Sequence, residues 1–125
     1  MTNFREFTST NGLTILVGKN SRDNGYLTGK IAQPNDIFLH VSDFPGSHVI
    51  MQTEDSDYTR EDLMDAACLA AYYSKGKDKK SIKVDYTEKR NVKRPRGAPA
   101  GLVELLKFKT LKIRKSDNRV SKYIK

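Results

Sequence analysis

The sequence predicts an α+β fold: a single domain built on a mostly antiparallel sheet, with an N-terminal β-hairpin and two helices. Three observations predict it. An Asn-Gly dipeptide separates two β-prone runs near the start. A capped, alanine-rich helical stretch occupies the middle. Short alternating runs then follow in the order hairpin, helix, two strands, helix, two strands, an order that suits antiparallel pairing better than repeated βαβ units.

The first element is "REFTSTNGLTILVGK". Asn11-Gly12 accepts the positive φ angles of a tight hairpin turn, and Phe7, Leu13, Ile15 and Val17 can line one sheet face. "SRDNGYLTGKIAQ" reads as a short helix capped by Ser21, with Tyr26, Leu27, Lys30 and Ile31 at helical spacing; Gly25 and Gly29 weaken it and Pro34-Asn35 ends it. "DIFLHVSD" and "SHVIMQT" are strand-like runs separated by a Pro45-Gly46 turn. Thr59 caps the second helix, and Asp62 at the third helical position makes a capping box. Leu63, Ala66, Ala67, Ala70 and Ala71 form its small-residue stripe, and Gly76 marks its end. "SIKVDYT" alternates, with Ile82, Val84 and Tyr86 on one side. "EKRNVKRPRGAPAG" is a loop, and "VELLKFKTLKIRK" supplies the last strand. Residues 1–115 form the domain, and 116–125 are expected to be a flexible basic tail.

The chain of 125 residues has material for one core. Its longest apolar run, "AACLAAYY", is too short to span a membrane. No apolar signal region opens the sequence, and the single cysteine, Cys68, has no partner for an internal disulfide. A cytoplasmic protein with no membrane association is the expectation.

Charge carries more information. The net charge is +8. Residues 1–74 hold five Lys/Arg and ten Asp/Glu, giving −5, whereas residues 75–125 hold eighteen and five, giving +13. A surface charged only for solubility mixes the signs; segregation of this size is the footprint of a polyanion partner, since cations close to phosphates release condensed counterions. The strongest cluster is Lys89, Arg90, Lys93, Arg94 and Arg96. It lies between two predicted strands and is stiffened by Pro95 and Pro99. Tyr86 and Phe108 flank it; their alternation favours core packing, and stacking on bases is the second reading.

The two histidines, His40 and His48, can approach each other across a hairpin ladder. No Cys-x-x-Cys or His-x-x-x-His pattern completes a metal site, and Asp36 and Asp43 lack a ligand spacing. Ser47 and His48 are adjacent on a strand and so point to opposite faces, a poor catalytic dyad. Cys68 has no neighbouring cations to activate it and reads as a packing thiol. No catalytic residue, metal or cofactor is expected.

Four ordered blocks, "FTSTNGLTILVGKN", "DIFLHVSDFPGSHVI", "AACLAAYYSKGK" and "VDYTEKRNVKRPRGAPAGLV", resemble the NFACT-R domain, the RNA-binding module of NFACT proteins. The resemblance spans residues 4 to about 114. It implies RNA binding without known catalysis, in proteins that act in ribosome-associated quality control. Full-length members carry a tRNA-engaging domain, a helical hairpin and a coiled coil, none of which occurs in these 125 residues, so the resemblance is to a stand-alone form. Matched positions are Gly18, Asn20, Asp36, His40, Gly46, Ser47, His48 and the 89–96 run.

The expected function is therefore a non-enzymatic module that contacts tRNA or rRNA, with the ribosome as a further partner. Its expected contacts are Lys89, Arg90, Lys93, Arg94, Arg96, His48, Ser47, His40, Lys19 and Asn20. Two other readings stand beside it: a tRNA-modifying enzyme or accessory subunit using His40 and His48, and a general DNA- or polyanion-binding adaptor. The sequence does not fix an oligomeric state.

Overall fold

A computed structural model describes residues 4–124. Six antiparallel strands form one sheet. They are β1 (Arg5–Thr8), β2 (Thr14–Val17), β3 (Ile37–Val41), β4 (Val49–Gln52), β5 (Ser81–Glu88) and β8 (Lys109–Arg114). Across the sheet the order is β1-β2-β4-β3-β5-β8. A short ribbon, β6 (Val92–Lys93) paired with β7 (Glu104–Leu105), lies outside it. The helices are α1 (Ser21–Tyr26) and α2 (Arg60–Tyr72). The α+β expectation holds, with the ribbon as an element that the sequence reading had merged into loop and strand.

Strand alternation divides the sheet into two faces. Ile15, Val17, Ile37, Leu39, Val41, Val49, Met51, Ile82, Val84 and Ile113 point to the side covered by α2. Alanines let the helix axis come close to the sheet. They contribute little area, so the buried Leu63 and Leu69 supply most of the helix's apolar burial, about 1.5–3 kcal/mol each. Cys68 is buried here too, and burial, with Asp117 next, pushes its thiol up to about 12. The opposite face carries Leu16, Phe38 and Ile50, roofed by Leu27 and Ala32 together with Val92 and Leu105 of the ribbon and Val103 just before it.

The capping box forms as read. Thr59 accepts from the Asp62 N–H at 3.2 Å, and Asp62 accepts from the Thr59 N–H at 3.0 Å. Asp62 also accepts from Ser9 Oγ at 2.8 Å and the Asn11 N–H at 2.9 Å, so the β1–β2 loop is tied to the start of α2. Burial opposes its charge, but the Thr59 N–H, Ser9 and Asn11 outweigh it and hold the carboxyl at about 2.

Several details differ from expectation. The hairpin connection is wider than a two-residue turn, because the ladder closes at Thr8↔Thr14; within the loop Gly12 takes a positive φ, +93°. The α1 cap is Asn20, not Ser21, with its side chain accepting from the Asp23 N–H at 2.8 Å. Beyond α1 the chain continues as a wide π-type turn, Leu27–Ile31. Helix α2 stops at Tyr72, short of Gly76, which is packed beneath Phe44 and Ile82. The last strand covers only Lys109–Arg114.

Residues 116–124, expected as a flexible tail, pack instead onto α2 through a 3-10 turn, Arg119–Lys122. Arg119 reaches Glu61 at 3.1 Å and Asp65 at 3.4 Å, Lys122 reaches Asp65 at 3.2 Å, and Tyr123 donates to the Thr8 carbonyl at 2.8 Å. Lys125 lies outside the described residues. No helix among those described is long and apolar enough to cross a membrane.

Candidate nucleic-acid interface

The face opposite α2 holds the candidate site, and His48 organises it. It sits on the approach to β4, one step past the Leu39↔Val49 pair that joins β3 and β4. Only 2 % of it is exposed. A carbonyl oxygen can only accept, so His48 Nε2 carries the proton donated to Gly101 O at 2.9 Å. Nδ1 is then the acceptor for the Thr28 hydroxyl at 2.7 Å. The His48 N–H donates to Asn24 Oδ1 at 3.1 Å, and its carbonyl accepts from the Gly18 N–H at 3.0 Å. Burial, and secondarily the charge of His40, lower its pKa to about 4. At neutral pH this ring is uncharged and fully occupied in holding α1, the turn after it and the 94–103 loop together.

Gly18 belongs to the same cluster. A β-carbon there would fall 1.9 Å from Asn24 Oδ1, the atom that receives the His48 N–H. Any side chain at position 18 would displace that acceptor. Gly101 in turn lies against the backbone of Ser21, so the loop tip rests on the first turn of α1.

This packing sets the loop that carries one candidate group against the helix that follows another. Lys19 and Asn20 precede α1, and Arg94 and Arg96 lie on the loop docked against it. Lys19, Arg94 and Arg96 are exposed. Arg94 shapes its own loop by donating to the Ala98 carbonyl at 2.9 Å. Lys93 points outward, because its ribbon neighbours Val92 and Leu105 face the apolar cluster beneath. Lys89 and Arg90 are at the far end of the ribbon, on a 3-10 turn fixed to the carbonyls of Asp36 and Pro34. Arg90 is also 3.8 Å from Glu88. Ser47 is tied to the end of α2 through its N–H, which donates to the Tyr73 carbonyl.

His40 lies beside His48 with ring centroids 5.7 Å apart. It is half-buried; burial lowers its pKa, against the opposing influence of the Val41 and Gly46 backbones and Asp85. Asp85, its cross-strand partner, accepts from Ser42 Oγ at 2.8 Å and Thr110 Oγ1 at 2.7 Å.

The strands add cations that the sequence reading missed. Lys83 and Lys112 are directly opposed in the β5–β8 register, and Arg114 is opposed to Ser81. Their alternation with Ile82, Val84 and Ile113 places them on the His40 face. Like charges at opposed positions repel, and no ion pair relieves this pair among the described residues. The sequence did carry a signal: each lysine alternates with a core residue on a strand whose other face is apolar. Among the described residues no group of three or more His, Cys, Asp or Glu is arranged to hold a metal ion.

Such a molecule is a small antiparallel α+β domain with one sheet face under an acidic helix and the other under a clipped cationic loop. The chain belongs to the NFACT family: the family described as "NFACT protein RNA binding domain" matches residues 3–105. It is 53% identical over 97 residues to the Rqc2 homolog RqcH of Bacillus subtilis (strain 168), covering 78% of this chain and 17% of that protein. With the Rqc2 homolog RqcH of Streptococcus suis (strain 05ZYH33) it shares 37% identity over 115 residues, 91% of this chain and 21% of that one. The chain thus spans about a fifth of the length of these relatives. Among solved structures, the C-terminal part of the fibronectin/fibrinogen-binding protein from Streptococcus suis superposes with a TM-score of 0.88 at 34% identity. That match covers 98% of this chain and 49% of the other.

Proposed function

We propose that this chain is a non-enzymatic RNA-binding module that contacts tRNA or rRNA in the cytoplasm, in the setting of ribosome-associated quality control. One observation carries the reading: the His48–Gly101 clip fixes the Arg94/Arg96 loop on the same face as Lys83, Lys112 and Arg114. A cationic loop left free would lose ordering entropy on every encounter, whereas a clipped one presents its charges already placed. Arginine suits this role because its planar fork engages phosphate through two bonds and stacks on unpaired bases.

The enzymatic alternative finds little support in the chemistry. A general base needs a free ring nitrogen within reach of substrate; both His48 nitrogens are engaged inside the protein, which leaves His40 alone to act as one. The polyanion-adaptor alternative is separated by competition between matched RNA and DNA hairpins, because an RNA module gains from the 2′-hydroxyls.

The deciding experiment measures binding to tRNA, to rRNA fragments and to matched DNA by fluorescence anisotropy across a salt series. The RNA affinity of the unmodified chain falls steeply with salt, and Arg94→Ala/Arg96→Ala flattens the log–log slope by about 1.5–2, close to one phosphate per arginine. An unchanged slope, or DNA bound as well as RNA, overturns the reading.

A further inference from the structure

A second recess lies on the other side of the ribbon from the loop tip, where the far ends of β3 and β5 meet the segments before α2 and β8. It is an open cleft of about 800 Å³, within the roughly 300–1,000 Å³ of sites that hold small organic ligands. Tyr58, Tyr86 and Phe108 contribute its aromatic surface. Phe108 is 52 % exposed and Tyr58 is 37 % exposed. The alternation that favoured core packing for Phe108 does not apply, because the chain bends at Leu106–Lys107 and leaves the ring outside the strand.

Three features give the recess a chemistry. Lys107 and Lys109 stand on either side of Phe108 and line the same cleft. An aromatic ring flanked in sequence by two cations that line the same recess offers a base a stacking surface with cations for its phosphate. Neither the Tyr58 nor the Tyr86 hydroxyl has a hydrogen-bond partner among the described residues. The lining is also rich in acceptors: Asp55, Asp57 and Glu88 belong to it, and Asp55 is set in place by Asn35 Nδ2 at 2.7 Å. Glu54 and Asp55 both hold positive φ, 51° and 63°. Two successive non-glycine residues in that conformation carry a backbone cost that clusters at ligand sites.

We infer that this cleft is a binding site for one unpaired nucleotide, its base stacked on Phe108 and Tyr86, its phosphate toward Lys107 and Lys109, and its base edge toward Asp55 and Asp57. A carboxylate accepts hydrogen bonds and does not donate them. These acceptors therefore suit bases that present an exocyclic amine and disfavour uracil, whose carbonyls would face like acceptors. The inference rests on the RNA-binding reading and deepens it: the loop face holds the sugar–phosphate chain, and the cleft takes a base that has left the stack.

The test uses the whole chain in two measurements. In NMR titrations, AMP and CMP shift the ring signals of Tyr58, Tyr86 and Phe108, UMP shifts them less, and ribose 5-phosphate, which lacks a base, leaves them in place. Anisotropy then compares single-stranded RNA with a fully paired duplex. Phe108→Ala weakens the single strand between about fivefold and a hundredfold, the range measured for one stacked base, and leaves the duplex unchanged. Thermal unfolding of the variant confirms that the fold persists, as expected for a half-exposed ring. Equal shifts from ribose 5-phosphate and AMP, or a Phe108→Ala protein that binds single strands as the parent does, overturn the cleft while leaving the loop-face reading intact. Failure of the unmodified chain to bind any RNA in dilute buffer overturns both.

Discussion

The imidazole of His48 donates to the carbonyl of Gly101 across 2.9 Å, joining a residue at the start of β4 to the tip of a loop fifty-three positions away. Because the same ring accepts from Thr28, one side chain fixes the loop, the turn after α1 and the sheet in a single arrangement. His48→Ala leaves the Thr28 hydroxyl and the Gly101 carbonyl without partners in a space that water fills poorly. An expected loss of about 2–4 kcal/mol follows from the unmet polar groups and the cavity together. Urea denaturation measures it. RNA affinity falls as well, although His48 touches no solvent-facing ligand, because the loop loses its anchor.

Acid acts on the same bond. An imidazole in the unfolded chain titrates near 6.5, while burial and the neighbouring His40 hold His48 at about 4 in the fold. The unfolded chain therefore takes up the proton first as the pH falls. The stability contributed by neutral His48 is complete above about 6.5 and is lost progressively as the pH drops toward 4, by about 3 kcal/mol in all. His40, lowered in the same direction, adds to this loss. Asp62, held at about 2, contributes only at pH values below those. Denaturation midpoints at pH 7.5, 5.5 and 4.5 should fall in that order, and His48→Ala should remove most of the dependence.

Binding and stability pull in opposite directions at the β5–β8 pair. Lys83 and Lys112 face each other across the register. Lys112→Glu replaces a repulsive pair with an attractive one and should raise the denaturation midpoint by a few tenths of a kcal/mol. The same change should weaken RNA binding and lower the salt slope by about 1 or more. A variant that gains stability and keeps its full salt slope would remove this pair from the interface.

The C-terminal turn should matter more than its surface position suggests. The Asp65 side chain is fully buried, and its charge is met by Arg119 and Lys122 together with Thr10. Arg119→Met keeps the apolar stem and removes one cation, costing about 1–2 kcal/mol while Lys122 remains. Adding Lys122→Met should cost more than the sum of the single changes, since the two cations share one carboxylate. A double-mutant cycle by urea denaturation reads that excess directly.

Much of the fold was legible because local rules and the tertiary structure agree. The Thr59–Asp62 box, the alanine-rich helix and the alternation of Ile82 and Val84 all report burial through spacing alone. The β6–β7 ribbon was not legible: two residues per strand carry no period, and Val92 lies in the basic run while Leu105 stands between Glu104 and Leu106. The C-terminal turn was missed because its attachment runs through charges, and Arg119 looks no different in sequence from a solvated arginine. At the site, the basic run announced itself as charge density. The role of His48 did not, because a lone histidine gives no hint of which carbonyl will sit 2.9 Å away. Tyr58 was overlooked for a similar reason: it lies just ahead of a helix cap and meets Tyr86 and Phe108 only in three dimensions.

The Tyr123–Thr8 bond has a practical reach. It joins the last turn of the described chain to the first strand, and the Phe7 and Tyr123 rings lie 5.4 Å apart beside it. The last described turn thus lies along the β1 border of the sheet. A label or linker carried on the last turn would therefore lie next to the outer edge of β1, away from Arg94 and Lys112.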